Sequence, residues 1–228
     1  MALILCIETA TEVCSVALSN NGEVMHVETL EEGQKHSSLL VPLIDQCLLM
    51  ASVQRSSLDA VAISNGPGSY TGLRVGASSV KAICYALDIP MIAIPTLESL
   101  AYPYKEQDRV VVSTIDARRM EAYMGTYHRG EEVSGSSNII WTEDSIQALI
   151  VTHGPIIICG NGIEKAESTI KIPADVVIAP NKCDATLLCQ LADHYFERGL
   201  VVDSAYHTPF YYKSPNITAP KAKFGLKG

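Results

Sequence analysis

The sequence predicts an α/β fold in two lobes, the second of them reduced, and three observations carry that expectation. Short strands with period-two alternation open each half of the chain. Behind them, segments of helical period alternate with short apolar runs of the kind that form buried strands. The halves also share a spacing. Glu8 closes the first strand of the first half and Gly22 turns into its third strand fourteen residues later; Asp116 and Gly130 repeat the interval. Two carboxylates at matching strand ends imply a duplicated lobe, 1–103 followed by 104–228, with a cleft between.

The first half reads as strands at 2–8, 13–19 and 23–30, with Asn20-Asn21-Gly22 as a hairpin turn. A helix from about Ser37 to Met50 follows, with Pro42 expected in its first turn, where a missing N–H costs little. His36 stands at its start as a capping or surface residue. Then come a strand at Ala60–Ser64, a loop, a helix at about Thr71–Leu87 and a strand at Met91–Ile94. The second half restarts with strands at 109–115 and 121–127 around a turn at Asp116–Arg119. A turn at His128–Gly130 and a third, weakly marked strand follow. A helix at Glu143–Ile150 has Thr142 as its N-cap, and PIIIC is a buried strand ending at Gly160. A last helix, about Ala185–Arg198, has Asp184 as cap and Gly199 as stop. Three meandering strands followed by alternating helices and strands is the plan of the actin-like, hexokinase-like (ASKHA) lobe.

Composition narrows the function. The 228 residues are 47% hydrophobic and 18% charged, as in globular chains, and no apolar run has the length of a membrane span. The opening MALILCIETA lacks a basic leader segment and reads as a buried first strand. A net charge of -8 argues against unaided grip on a phosphate backbone. Only the end of the sequence is locally basic, with Lys221, Lys223 and Lys227, either a solvated tail or a phosphate contact. The seven cysteines form no zinc spacing or C-x-x-C pair and suit a reducing, cytoplasmic setting as small buried hydrophobes.

The most specific stretch is Gly66-Pro67-Gly68-Ser69-Tyr70-Thr71-Gly72-Leu73-Arg74-Val75-Gly76. Its glycines permit tight backbone turns before a helix N-terminus. That makes it either an anion site or a plain strand-to-helix connection. Together with ILCIETATEVCSVAL, HSSLLVPLIDQCL, IDARRMEAYMGTY and PFYYKSP, it resembles the TsaB/YeaZ family over nearly the whole chain. The resemblance implies a non-catalytic partner of the transferase TsaD in making threonylcarbamoyl-adenosine at position 37 of tRNAs that read codons beginning with A. The ATPase TsaE is expected to join the pair, tRNA to be met only through the complex, and the chain alone to form a homodimer.

The resemblance also implies a dimerising face on the two long helices. Leu39, Leu40, Leu43, Ile44 and Cys47 are its candidates on the first; Gly72, Arg74, Val75, Gly76, Ser79 and Ile83 are those on the second. Packing against the protein's own sheet is the alternative for Gly72 and Gly76, which lie four apart on one helix face. The weak candidates for nucleotide are Glu8, Thr9, Asp116 and Arg118, the last with Arg119 either reaching the cleft or forming a surface turn. No basic residue follows Glu8, and Glu12 would repel a triphosphate. The catalytic paralogue carries two metal-binding histidines where alignment on Pro95 and Glu98 puts Thr96 and Leu100. No catalytic residue, metal or cofactor is therefore expected; a small-molecule kinase or ATPase of the actin-like superfamily is the alternative.

Overall fold

Two-residue hairpins set the geometry of both halves. The computed structural model describes residues 2–30, 36–179 and 182–213, and of residues 36–38 the backbone alone. In the first half β1 (Leu3–Glu8), β2 (Cys14–Asn20) and β3 (Glu23–Leu30) form an antiparallel meander. Asn21 and Gly22 between β2 and β3 both have positive φ, at 52° and 77°. That is the turn whose twist matches the strands it joins, and Asn and Gly tolerate it best. Arg129 and Gly130 (φ 53° and 84°) make the same turn in the second half.

The first sheet is completed by β4 (Ala60–Ser64) and β5 (Met91–Ile94), both parallel to β1, in the order β3-β2-β1-β4-β5. The second sheet has β6 (Val110–Arg118), β7 (Glu121–His128), β8 (Glu131–Ile140), β9 (Ile156–Cys159) and β10 (Val176–Ala179). Its order, β10-β9-β6-β7-β8, is the same plan repeated. The reduction expected of the second lobe lies in its helices. Between β4 and β5 runs α2 (Tyr70–Leu87), of 18 residues; between β9 and β10 the only α-helix is α5 (Glu164–Glu167), of 4.

Each sheet is covered on both faces, and the covering is exchanged between the halves. On one face of the first sheet α1 (His36–Met50) and α2 bury Leu40, Ile44, Val80 and Cys84 against Leu5, Ile7, Val16 and Ile63. The other face, with Ile4, Cys6, Ala62 and Ile92, is covered by Leu188, Leu191 and Ala192 of α6 (Thr186–Glu197). This helix belongs to the second half of the sequence. Conversely α3 (Thr96–Ala101), from the first half, lies on β6 and β7. α3 and α6 pack on each other between the sheets, joined by a hydrogen bond from the Tyr195 hydroxyl to Glu98 Oε2 (2.7 Å). The outer face of the second sheet carries α4 (Glu143–His153) and α5.

Several expectations change in detail. Pro42 is the seventh residue of α1, in its second turn rather than its first, because the helix begins at His36. The turn expected at Asp116–Arg119 is displaced: β6 runs on to Arg118 through a register shift, and Arg118, Arg119 and Met120 all have positive φ. The final helix starts at Thr186, with Asp184 Oδ1 accepting from its N–H (2.9 Å). The sequence reading has no counterpart for α3, α5 or β10. All seven cysteines are free and buried. His36 as a cap and the lysines at 221, 223 and 227 fall outside the side chains described. No helix among the described residues is long and apolar enough to cross a membrane.

Trp141 ties β8 to the loop after β9, its buried indole N–H donating to Gly162 O (2.6 Å). Trp141→Phe keeps most of the ring but leaves that carbonyl without its donor. The expected cost is about 1–3 kcal/mol, read by urea denaturation followed by circular dichroism, since the variant has no tryptophan to report.

Candidate functional site

The carboxyl ends of β1, β4 and β5 meet at one point, where an open α/β sheet usually holds its ligand. β1 ends in Glu8, β4 in Ser64, and α2 begins immediately after the glycine loop. Ser69 caps α2, its Oγ accepting from Gly72 N (3.3 Å), while its own N–H donates to Ala10 O (2.6 Å). The helix start is thus pinned directly to the connection between β1 and β2.

That pinning explains the glycines. A Cβ on Gly72 would collide with Thr9 O; one on Gly76 would collide with Thr9 Oγ1 and stand 2.9 Å from Ile63 Cδ1. The Gly72 and Gly76 stripe therefore faces the protein's own β1–β2 connection and β4. Leu40, Leu43, Ile44 and Cys47 likewise turn into the first lobe's core, at 0–5% exposure. The reason is that α1 and α2 each need an apolar stripe for the sheet beneath, and these residues supply it. Of the candidate interface residues, Arg74 is exposed, and Leu39, Val75, Ser79 and Ile83 are half-buried at the margin. Exposed apolar side chains beside them are Val41, Leu49 and Met50 on α1 and Tyr85 on α2, which sequence reasoning passed over. Arg74 stacks over the Tyr70 ring at 4.3 Å.

The nucleotide candidates do not converge. Glu8 is fully buried; its Oε1 accepts from Ala10 N (2.5 Å) and Ser64 Oγ (2.8 Å), and its Oε2 has no hydrogen-bond partner within normal distance among the described residues. Burial pushes its carboxyl above the usual range, against the pull of the Ala10 and Ser64 bonds. Thr9 is equally buried, and its hydroxyl has no partner among the described residues. The equal spacing to Gly22 and Gly130 conceals a slip of one residue. Glu8 pairs with Ser15, seven residues before Gly22, but Asp116 pairs with Ala122, eight before Gly130. One residue reverses a strand's faces. Glu8 shares the α6 face with Ile4 and Cys6, whereas Asp116 points to the outer face and bonds Lys165 of α5 (2.7 Å).

Between the lobes lies a cleft of about 420 Å³. Asn65, Gly66, Pro67 and Pro95 from the first lobe form one wall, and the β7–β8 hairpin, through Tyr127 and Gly130, forms the other. Tyr127 pairs with Val111 and Asp116 with Ala122, so Asp116 sits roughly 17 Å along β6 from the cleft. Neither Arg118 nor Arg119 lines it; both lie exposed in the β6–β7 turn. The segment after α6 crosses the cleft as a strap. Val202 N donates to Met91 O, Phe210 N to Asn65 O (2.8 Å), Tyr211 stacks on Tyr70 (4.9 Å), and Tyr212 stacks on Tyr123 (5.3 Å). Lys213 pairs with Glu121.

A family model described as TsaD, tRNA N6-adenosine threonylcarbamoyltransferase, matches residues 30–186. The tRNA threonylcarbamoyladenosine biosynthesis protein TsaB of Haemophilus influenzae is 38% identical over 122 residues, 53% of this chain and 51% of that protein. The Escherichia coli protein of the same name is 33% identical over 150 residues, 64% of this chain and 62% of its own. The matched stretch thus spans between half and two-thirds of these two relatives. The solved structure of YeaZ from Pseudomonas aeruginosa superposes with a TM-score of 0.76 at 28% identity, over 92% of this chain and all of that one. An ADPNP-bound activator of 2-hydroxyisocaproyl-CoA dehydratase from Clostridium difficile shares the fold at a TM-score of 0.51 and 10% identity, over 95% of this chain and all of that one.

Two outcomes follow from the contact of α2 with the β1–β2 connection. Gly76→Ala forces a methyl onto Thr9 and Ile63 and is expected to cost about 1–3 kcal/mol in urea denaturation; an unchanged midpoint would show that α2 shifts freely. The second concerns pH. The folded carboxyl of Glu8 has a raised pKa, so the folded state keeps a proton that the unfolded state has released. Stability is full below the ordinary carboxylate range and falls as pH rises through the folded value. The unfolding free energy of the native chain, minus that of Glu8→Gln, should therefore decline as pH rises above the ordinary carboxylate range.

Proposed function

Because the chain belongs to the family of the tRNA N6-adenosine threonylcarbamoyltransferase model, and within it to the TsaB/YeaZ line, we propose that it acts in threonylcarbamoyladenosine biosynthesis as the transferase's non-catalytic partner. The observation that carries the second half is the state of Thr96 and Leu100. Both are fully buried in α3, and Thr96 Oγ1 accepts from Gly66 N (3.0 Å), locking the glycine loop to the helix. Positions that would carry metal ligands in the catalytic paralogue here brace the fold. Leucine has no donor atom, and the Thr96 hydroxyl is already engaged.

The partner in this reading is TsaD, docked on the outer face of α1 and α2, with TsaE joining the pair and tRNA held mainly by the transferase. Arg74, Val41, Leu49 and Tyr85 are exposed there, and an apolar outer face beside an inner face already satisfied by the core is what a docking helix pair needs. Glu98, Glu131 and Glu132 around the cleft oppose a bound triphosphate, which weighs against an autonomous kinase or ATPase.

The test is a reconstitution with TsaD, TsaE, threonylcarbamoyl-adenylate and tRNA, followed by nucleoside mass spectrometry. Modification is expected only when this chain is added. Val41→Asp with Leu49→Asp should abolish co-elution with TsaD while leaving the melting temperature within a few degrees, since both side chains already face water. Full modification without the chain would refute the role, and co-elution of the double variant would refute the face.

A further inference from the structure

The interlobe cleft has a chemistry opposite to that of a nucleotide pocket. Three carboxylates, Glu98, Glu131 and Glu132, contribute to its lining, and no Lys, Arg or His does. Glu131 and Glu132 have no ion pair among the described residues. Glu98 spends Oε2 on the Tyr195 hydroxyl (2.7 Å) and leaves Oε1 without a partner there. Pro67, Pro95 and Phe210 supply apolar surface to the remaining walls, beside Asn65 and Ser136.

A second observation is independent of the acidic cluster. Tyr127 is 5% exposed, lines the cleft, and its hydroxyl has no hydrogen-bond partner among the described residues. The ring is buried while the hydroxyl, engaged by no described residue, is left free to accept from a group in the cleft. Its hydroxyl is also held in its neutral form, by burial first and then by the fields of Glu132 and Glu98. The same two carboxylates thus bear on the unpartnered hydroxyl. A donor-only, positively charged group placed between them would satisfy the phenol oxygen and the carboxylates together.

We propose that the interlobe cleft is a binding socket for an alkylammonium group, with Glu98, Glu131, Glu132 and the Tyr127 hydroxyl as its acceptors and Pro67, Pro95 and Phe210 as the sleeve around its methylene chain. An ammonium carries three donors and no acceptor, which matches this lining, and a flexible alkyl stem suits the apolar rim. The volume of about 420 Å³ lies within the range of small-molecule sites. The same chemistry is offered by a free polyamine and by a lysine side chain of a docked protein. This assignment goes beyond the role proposed above and stands whether or not that role does.

The experiment titrates the full chain with spermidine and, separately, with the acetylated, amidated tripeptide Ala-Lys-Ala, by calorimetry at low ionic strength. Heteronuclear NMR locates the site. Saturable 1:1 binding is expected for at least one probe, with the amide signals of Gly66 and Gly130 moving. Binding by spermidine alone identifies a free amine as the ligand, and binding by the peptide identifies a lysine side chain. Glu98→Gln and the pair Glu131→Gln/Glu132→Gln should each weaken binding by about tenfold or more, and Tyr127→Phe by a few-fold. Glu23→Gln with Glu197→Gln, two exposed carboxylates remote from the cleft lining, should change nothing. No binding by either probe would overturn the proposal. So would equal loss in the remote pair, which would reveal attraction to the net charge of -8 alone, or signal changes confined to surfaces away from the cleft.

Discussion

Everything at the hinge depends on how closely the start of α2 approaches the β1–β2 connection. Thr9 O, Thr9 Oγ1 and Ala10 O occupy the space where side chains at Gly72, Gly76 and Gly68 would stand. At Gly68 and Gly72 the contact is with backbone and admits no adjustment by rotamer change, while at Gly76 the neighbours are the Thr9 and Ile63 side chains; together they set where β4 can deliver the glycine loop. Gly66 is held in turn by Thr96 Oγ1 on its N–H, with the Phe210 carbonyl standing in the place of a side chain. One close approach thereby positions α2, α3 and the strap, and with them one wall of the cleft. The Ser69 bonds on either side make the approach specific, because a cap and a strand-side acceptor are satisfied by the same residue.

Legibility in the sequence followed physical distinctiveness. The hairpins at Asn21-Gly22 and Arg129-Gly130, the parallel strands at Ala60–Ser64 and Ile156–Cys159, and the cap at Thr142 were readable because turn chemistry, apolar runs and capping are local. α3 was not. Five of its six residues are buried, so it has no amphipathic period to detect. β10 is four residues long and one edge of its sheet, and α5 is a single turn. The site was harder still. An equal count from carboxylate to glycine cannot reveal a one-residue difference in pairing, and that difference sends Asp116 to the outer face. Gly72 and Gly76 announced a close approach, but nothing in the spacing of small residues says whether the neighbour is a partner's helix or the chain's own strand. The acidic cleft was missed because Glu98 and the pair Glu131-Glu132 are distant in sequence and meet only through the interlobe geometry.

The fold is shared with an ADPNP-bound activator protein, while Glu98, Glu131 and Glu132 and no basic residue line the cleft here among the described residues. In such a case the backbone plan carries no guarantee of the ligand, because affinity is decided by a few groups at the mouth of the cleft. Here the strand-end carboxylate is withdrawn beneath the surface and bonded to Ala10 and Ser64, where it organises the turn. The actin-like frame holds two sheets, with α1 and α2 on the outer face of the first, in fixed relation.

The exchange of helices between the lobes has a consequence for synthesis. The inner face of the first sheet, with Ile4, Cys6, Ala62 and Ile92, is covered mainly by α6 among the described residues, and α6 ends at Glu197. The strands it protects are finished by residue 94. A growing chain therefore carries a completed sheet with one greasy side bare while about a hundred further residues are added, and the last-made helix must return to the first-made strand. Early emergence brings no early independence. The first lobe stays aggregation-prone until α6 has been made, and a truncation anywhere before α6 would strand it there.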